Sequence, residues 1–193
     1  MIRATLCLDR LRNARLMADL NQQLFLLINS CSVSPFMASV TRWLAELPIY
    51  LAAVLLALTW LRCRPEEKVE ALAIAYAALI LVVLNLTIRH LYFHPRPFAM
   101  GVGCSYLNHE ANSSFPSNHL GIIFACAVAA WGVPRFRTLS VFVFFLCVPI
   151  AWTRVYAGVH WPFDMLGALV TGGVSGRLGL ALAHRLRPAR PRR

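Results

Sequence analysis

The sequence predicts an all-α protein, a polytopic transmembrane helix bundle of five or six spans with a short N-terminal interfacial helix. Three observations predict it. Of the 193 residues, 59% are hydrophobic and only 14% are charged, whereas a soluble domain carries about a quarter charged residues. Mean hydropathy is +0.60, and the apolar residues gather into runs long enough to cross a bilayer. Lys and Arg outnumber Asp and Glu by 19 to 8, and they collect between the runs, as cytoplasmic arginines do in membrane proteins. Nucleic-acid binding, the other reading of such a charge, lacks a recognition helix, zinc spacing or basic repeat to support it.

Residues 1–20 form a basic segment in which Arg3, Arg10, Arg12 and Arg15 interrupt any apolar core, so a cleavable signal peptide is not expected. The stretch LNQQLFLLIN at 20–29 is apolar but too short to cross, which reads as an interfacial or re-entrant helix. A span is expected over 44–61, interrupted early by Pro48, and another over 69–92, almost free of charge until Arg89 near its end. The run 119–133 is short, about 22 Å at 1.5 Å per residue. Spans over 139–156 and 163–183 follow. The last carries Gly167, Gly172, Gly173, Gly176 and Gly179, small residues that let helices approach closely; Arg177 within it snorkels or pairs. Residues 21–184 thus read as a single membrane domain and 185–193 as a basic cytoplasmic tail. Five spans leave the N-terminal arginines on the outer side, and a sixth crossing near 21–40 would restore the parity, so both counts stay open.

Arginines also set sidedness. The connection 62–68, the connection holding Arg135 and Arg137, and the tail with Arg185, Arg187, Arg190, Arg192 and Arg193 belong on the cytoplasmic side. Residues 93–118 and 157–162 then lie on the outer face. Three patches, 89–97, 115–119 and 154–164, meet at that one surface. Arg89, Arg96 and Arg154 are the basic residues of an otherwise charge-poor face. Lipid headgroups or snorkelling would explain any one of them; three converging call for an anionic ligand.

Ser117 is placed to cap the helix that follows it, and a helix N-terminus presents free N–H groups suited to phosphate. His119 stands on the first turn, where an ionisable group at a span end invites a functional explanation. Pro162 suits the first turn of the last helix, which puts His160 just before that helix and Asp164 one turn inside it. A carboxylate there can accept one imidazole N–H, fix the tautomer and leave the other nitrogen free to attack. The six cysteines, Cys7, Cys31, Cys63, Cys104, Cys126 and Cys147, show no metal-ligand spacing. Cys126 and Cys147 read as small hydrophobes, and Cys31 and Cys104 can share the outer side, which permits a disulfide without requiring one.

The chain reads Arg89-x6-Arg96-Pro97, then Pro116-Ser117-Asn118-His119, then Thr153-Arg154-x5-His160-x3-Asp164. This resembles the type 2 phosphatidic acid phosphatase superfamily, membrane lipid phosphatases that share a site with the soluble vanadium haloperoxidases. Its pattern is Lys-x6-Arg-Pro, Pro-Ser-Gly-His and Ser-Arg-x5-His-x3-Asp. The stretches HPRPF, FPSNH, RVYAGVHWPFDMLG and LNQQLFLLIN are further similar to bacterial undecaprenyl-diphosphatases of the bacitracin-resistance type, over roughly residues 20–175. Arg89 stands for the usual Lys, Asn118 for Gly or Asp, and Thr153 for Ser; none removes a group the chemistry needs.

The resemblance implies catalysis by His160 as nucleophile, Asp164 as its orienting partner and His119 as acid and base. It implies a phosphate held by Arg89, Arg96, Ser117, Arg154 and Asn118, with no metal or cofactor. The implied substrate is a polyprenyl diphosphate, undecaprenyl diphosphate, cleaved at the outer face of a bacterial cytoplasmic (inner) membrane to recycle the cell-wall carrier of peptidoglycan synthesis. A phosphatase or phosphotransferase acting on phosphatidylglycerophosphate or lipid A would use the same site, and a non-catalytic lipid-binding protein is the alternative of another class. Tyr92, Phe93, Trp161 and Phe163 are candidates to line a lipid entrance, although an interfacial aromatic belt accounts for them as well. Asn108, His109 and Glu110 are candidates for the distal phosphate, with a solvated polar loop as the plainer reading.

Overall fold

The computed structural model describes residues 2–186; the expected tail arginines Arg187, Arg190, Arg192 and Arg193 lie outside the described residues. Six α-helices follow one another: α1 (Ile2–Ile28), α2 (Pro35–Arg62), α3 (Pro65–Leu91), α4 (Asn118–Trp131), α5 (Arg137–Tyr156) and α6 (Pro162–Arg185). Short 3-10 turns stand at Phe98–Met100 and Pro134–Phe136. Among the described residues four segments are long and apolar enough to cross a membrane: Pro35–Arg62, Ala71–Leu91, Pro134–Tyr156 and Pro162–Arg185. Helix α4 is apolar but has only 14 residues, about 21 Å of length.

Two expectations need correction. The short interfacial helix at 20–29 is the last part of α1, which has 27 residues; no Gly or Pro between Ile2 and Ile28 stops it. Helix α2 begins at Pro35 rather than near 44. Ser34 caps it, its Oγ accepting from the Met37 N–H at 3.3 Å, and Pro35 fills the first helical position, where an N–H is dispensable. Residues 29–34 lie outside any helix, which removes the extra crossing considered at 21–40. Pro48 sits inside α2 without ending it.

Helix α4 is the middle of the bundle, packed by α3, α5 and α6, with Leu120, Ile123, Ala125, Ala127 and Ala129 buried. Helix α6 approaches α3 and α4 along its small residues. A side-chain carbon on Gly179 would lie 2.6 Å from the Ala73 carbonyl oxygen, and one on Gly176 2.8 Å from that of Ala125. At the far end, Arg135 Nη1 meets Glu67 Oε1 at 2.6 Å, joining the two basic connections that were placed on one face.

At the opposite end the loops are tied to α1. Asn29 Nδ2 donates to the carbonyls of Cys104 (2.9 Å) and Tyr156 (2.8 Å), and its Oδ1 accepts from the Cys104 N–H at 2.9 Å. Cys31 and Cys104 form a disulfide, with Cα atoms 5.2 Å apart. Phe25 packs on Trp161 at 5.1 Å, and Asn21 Oδ1 accepts from the Phe163 N–H at 3.0 Å. Gly158 has φ +79° and lies against the Cys104 carbonyl, so a side chain there would be strained and would collide.

Gly179→Leu is expected to lower thermal stability in detergent by about 1–3 kcal/mol or to prevent folding, because the neighbour is rigid backbone. Gly173→Ala, whose added carbon meets only Phe124 at 3.6 Å, is expected to leave the melting temperature unchanged or slightly higher.

Candidate active site

The site is built outward from the start of α6. Pro162 opens the helix, and the Asp164 carboxylate reaches back so that Oδ2 accepts from the Trp161 N–H at 2.8 Å. The same oxygen lies 3.2 Å from His160 Nδ1. An ionised carboxylate can only accept, so Nδ1 carries the ring proton and Nε2 keeps a lone pair. Both residues are buried, Asp164 completely. The backbone just before the ring is fixed by α5: the N–H groups of Val159 and His160 both donate to the Arg154 carbonyl, at 3.2 and 3.3 Å.

Arg96 stands against the free nitrogen, with Nη1 3.3 Å from His160 Nε2. Its fork is held by the Val159 carbonyl (2.7 Å from Nη1) and by Asn112 Oδ1 (2.8 Å from Nη2 and 3.2 Å from Nε). Arg154 donates through Nη2 to the Ala45 carbonyl of α2 at 3.1 Å, and Arg89 through Nη2 to the Pro116 carbonyl at 2.7 Å. The three motifs of the sequence therefore do converge; Arg89 and Arg154 are each anchored through Nη2, whereas Arg96 is held at Nε and at both terminal nitrogens. Arg89 Nε, Arg154 Nε and Ser117 Oγ are buried without a protein partner, and buried donors of that kind ordinarily find one. Their chemistry fits the oxygens of a phosphoryl group.

Ser117 occupies the position before α4, but its hydroxyl makes no capping bond; its N–H donates instead to the Asp164 main-chain carbonyl at 3.4 Å. Asn118 leans on α3, where its Oδ1 accepts from Asn85 Nδ2 at 2.8 Å. His119 and Arg154 line a cavity of about 290 Å³ together with Glu46, Asn108, His109, Glu110 and Asn112. The polar loop is thus part of the wall, and the His109 and His160 rings are 6.4 Å apart. Tyr92 and Phe93 are exposed, whereas Trp161 is buried and donates through Nε1 to the Pro95 carbonyl at 2.9 Å. Trp161 is therefore a strut rather than an entrance residue.

Burial pushes the His160 ring down to about 4, with Asp164 pulling upward and Arg96 and Arg154 adding to the depression. His109 is also held down to about 4, by burial first and then by Arg96 and Arg154. Arg96 falls to about 10, through burial and its neighbour Arg89, and stays charged at neutral pH. A neutral imidazole beside charged guanidiniums is the state that a nucleophilic attack on an anion requires. Among the described residues no three His, Cys, Asp or Glu side chains are grouped to hold a metal ion.

Sequence reasoning missed Asn112, His94, Asn85, Glu46 and the Ala45 carbonyl. Only the polar run Asn112-Ser113-Ser114 beside a motif hinted at the first. With this geometry in view, the family model of the PAP2 superfamily matches residues 70–188.

The chain belongs to the PAP2 superfamily.

It is a phosphatase of that family. The chain is 38% identical to YbjG of Escherichia coli (strain K12), provisionally named an undecaprenyl-diphosphatase, over 81% of this chain and 79% of that one. It is 28% identical to the undecaprenyl-diphosphatase BcrC of Bacillus subtilis (strain 168), over 88% and 87%. The fold is shared with the crystal structure of a transmembrane PAP2 type phosphatidylglycerolphosphate phosphatase from Bacillus subtilis, at a TM-score of 0.67 and 21% identity, covering 92% of this chain and 90% of the other. With four candidate spans, this PAP2 protein is a multi-pass membrane protein.

His160 is expected to stay neutral down to about pH 4 in a histidine-selective NMR titration of the solubilised protein; protonation near 6.5 would contradict the burial argument. The sign for stability follows. The unfolded chain takes up these protons near 6.5 and the folded chain only near 4, so His160 and His109 make folding less stable as pH falls through that window. Melting curves between pH 7 and pH 4 check this.

Proposed function

We propose that this protein is an integral membrane lipid diphosphatase that hydrolyses undecaprenyl diphosphate to undecaprenyl phosphate and phosphate. The observation that carries the reaction type is the His160 ring: Nδ1 is committed to Asp164, and Nε2 faces Arg96. Nε2 attacks the terminal phosphorus, and the bond from that phosphorus to the bridging oxygen breaks. His119, on the wall of the same cavity, gives a proton to the departing oxygen. The phosphorylated ring becomes cationic, and Asp164 offsets that charge. Water then gives a proton to His119 and attacks the phosphohistidine, releasing phosphate and restoring Nε2. Arg89, Arg96, Arg154 and Ser117 hold the equatorial oxygens, where phosphoryl transfer gains most from fixed positive charge.

Support for the lipid comes from the two undecaprenyl-diphosphatase relatives, matched over most of their length. A second phosphate has room beyond Arg154 and His119, beside Asn108, His109 and Asn112. We further propose five crossings, α2 to α6, with the site on the outer face of a bacterial cytoplasmic membrane and α1 at the interface. The Cys31–Cys104 disulfide on the site's side supports that orientation, since such bonds persist in oxidising compartments. So does the Glu67–Arg135 pair among arginines at the other end.

His160→Ala is expected to reduce phosphate release from purified undecaprenyl diphosphate by at least about a thousandfold. Arg154→Gln is expected to lower kcat by about a hundredfold. Activity should persist with chelator present. A clear preference for a glycerolipid monophosphate in the same assay would overturn the substrate assignment.

A further inference from the structure

Asp164 has two carboxylate oxygens, and His160 and the Trp161 N–H use only one. Both meet Oδ2. Oδ1 is buried and makes no hydrogen bond, and Nδ1 of His94 lies against it at 3.4 Å. The state of that nitrogen can be worked out from its other neighbour. Ser114 Oγ lies 3.1 Å from the His94 carbonyl and donates its single proton there. It can therefore only accept from His94 Nδ1, 2.9 Å away. With an ionised carboxylate on its other side, Nδ1 is best occupied by a proton, which it donates to Ser114 Oγ while its positive edge lies against Asp164 Oδ1 as an electrostatic contact.

The ring is held for this purpose from several sides. The Ser114 N–H donates to the His94 carbonyl at 2.7 Å, and the His94 N–H donates to Ser113 Oγ at 3.1 Å. Tyr92 stacks on the ring at 5.9 Å with planes 13° apart, and Phe115 stands edge-on at 6.4 Å. His94 lies in the first motif region, between Arg89 and Arg96, yet it acts on a carboxylate of the third.

We propose that His94 is a positioning residue for catalysis: its Nδ1–H steadies the second oxygen of Asp164 and so holds the carboxylate in register with the His160 ring. This deepens the proposed reaction and rests on His160 being the nucleophile. His94 acts through Asp164. A carboxylate gripped at one oxygen can swing about its own bond, and it is needed most when the phosphorylated ring turns cationic. The effect therefore falls on kcat rather than KM.

The test measures kcat and KM for phosphate release from undecaprenyl diphosphate in His94→Leu, His94→Asn and His94→Gln, each with and without Asp164→Asn, beside His160→Ala. The Asn side chain offers an amide N–H where Nδ1 stood, and Gln offers one farther out, where Nε2 stood. His94→Leu is expected to lower kcat by about tenfold to a hundredfold, the usual cost of losing such a supporting contact, with KM changed by no more than about twofold. His94→Asn recovers most of that loss and His94→Gln does not. In the Asp164→Asn background His94→Leu adds no further loss, because coupled residues are not additive. Should the Leu variant fail to fold, the contrast between Asn and Gln decides. The proposal is overturned if kcat in His94→Leu equals wild type, if Asn and Gln behave alike, or if the loss persists without Asp164. Wild-type hydrolysis by His160→Ala would instead bring down the reading of the site itself, whereas an inactive His160→Ala beside a fully active His94→Leu removes only the role of His94.

Discussion

A carboxylate placed at the apolar end of a helix bundle costs several kcal/mol in lost hydration unless its oxygens are held by donors. Asp164 meets that requirement with the Trp161 N–H, His160 and the positive end of α6. Its side chain holds the His160 ring, and its main-chain carbonyl takes the N–H of Ser117 from the start of α4. One residue thus joins α6, the preceding loop and the second motif. Remove its charge, and three guanidiniums would face one another in a poorly hydrated pocket. With it, the pocket still carries an excess of positive charge, only partly offset by Glu46 at the exposed rim of the cavity. That excess is what the proposed phosphate-bearing substrate would offset.

The bundle places that chemistry by close packing rather than by polar ties. Helix α4, too short to be a comfortable span, is enclosed by α3, α5 and α6. The small residues of α6 permit this by bringing backbone against backbone. Arg154 then reaches across to α2, a helix that carries none of the three motifs. There the Ala45 carbonyl receives it, three residues before Pro48.

What the sequence made legible was local. A His–Asp pair spaced by one turn, a helix start after Pro116 and an arginine at a span end are all set by neighbours within four residues. The convergence of the patches followed from parity, since each lies at an end of an apolar run. What stayed hidden was contact between distant backbone and side chain. The Ala45 carbonyl has no residue type to read, Asn112 looks like any loop amide, and His94 gains meaning only beside Ser114 and Asp164. Ser117 shows the limit from the other direction: the residue type suited a cap, yet its hydroxyl is turned elsewhere. The length of α1 was masked because charged residues spaced along a helix hide it from a search for apolar runs.

The bond between Cys31 and Cys104 closes a ring of chain that contains the whole of α2 and α3. Two threaded helices inside one covalent loop mean that the cross-link cannot close while either is still being inserted. Closure therefore requires both helices to be in place first, and it requires a compartment that oxidises thiols. The clasp of Asn29 on Cys104 and Tyr156 then fastens the opening helix over the loop that leads into His160. The covalent clasp is in this sense a record of folding: it closes only in molecules whose second and third helices already stand side by side.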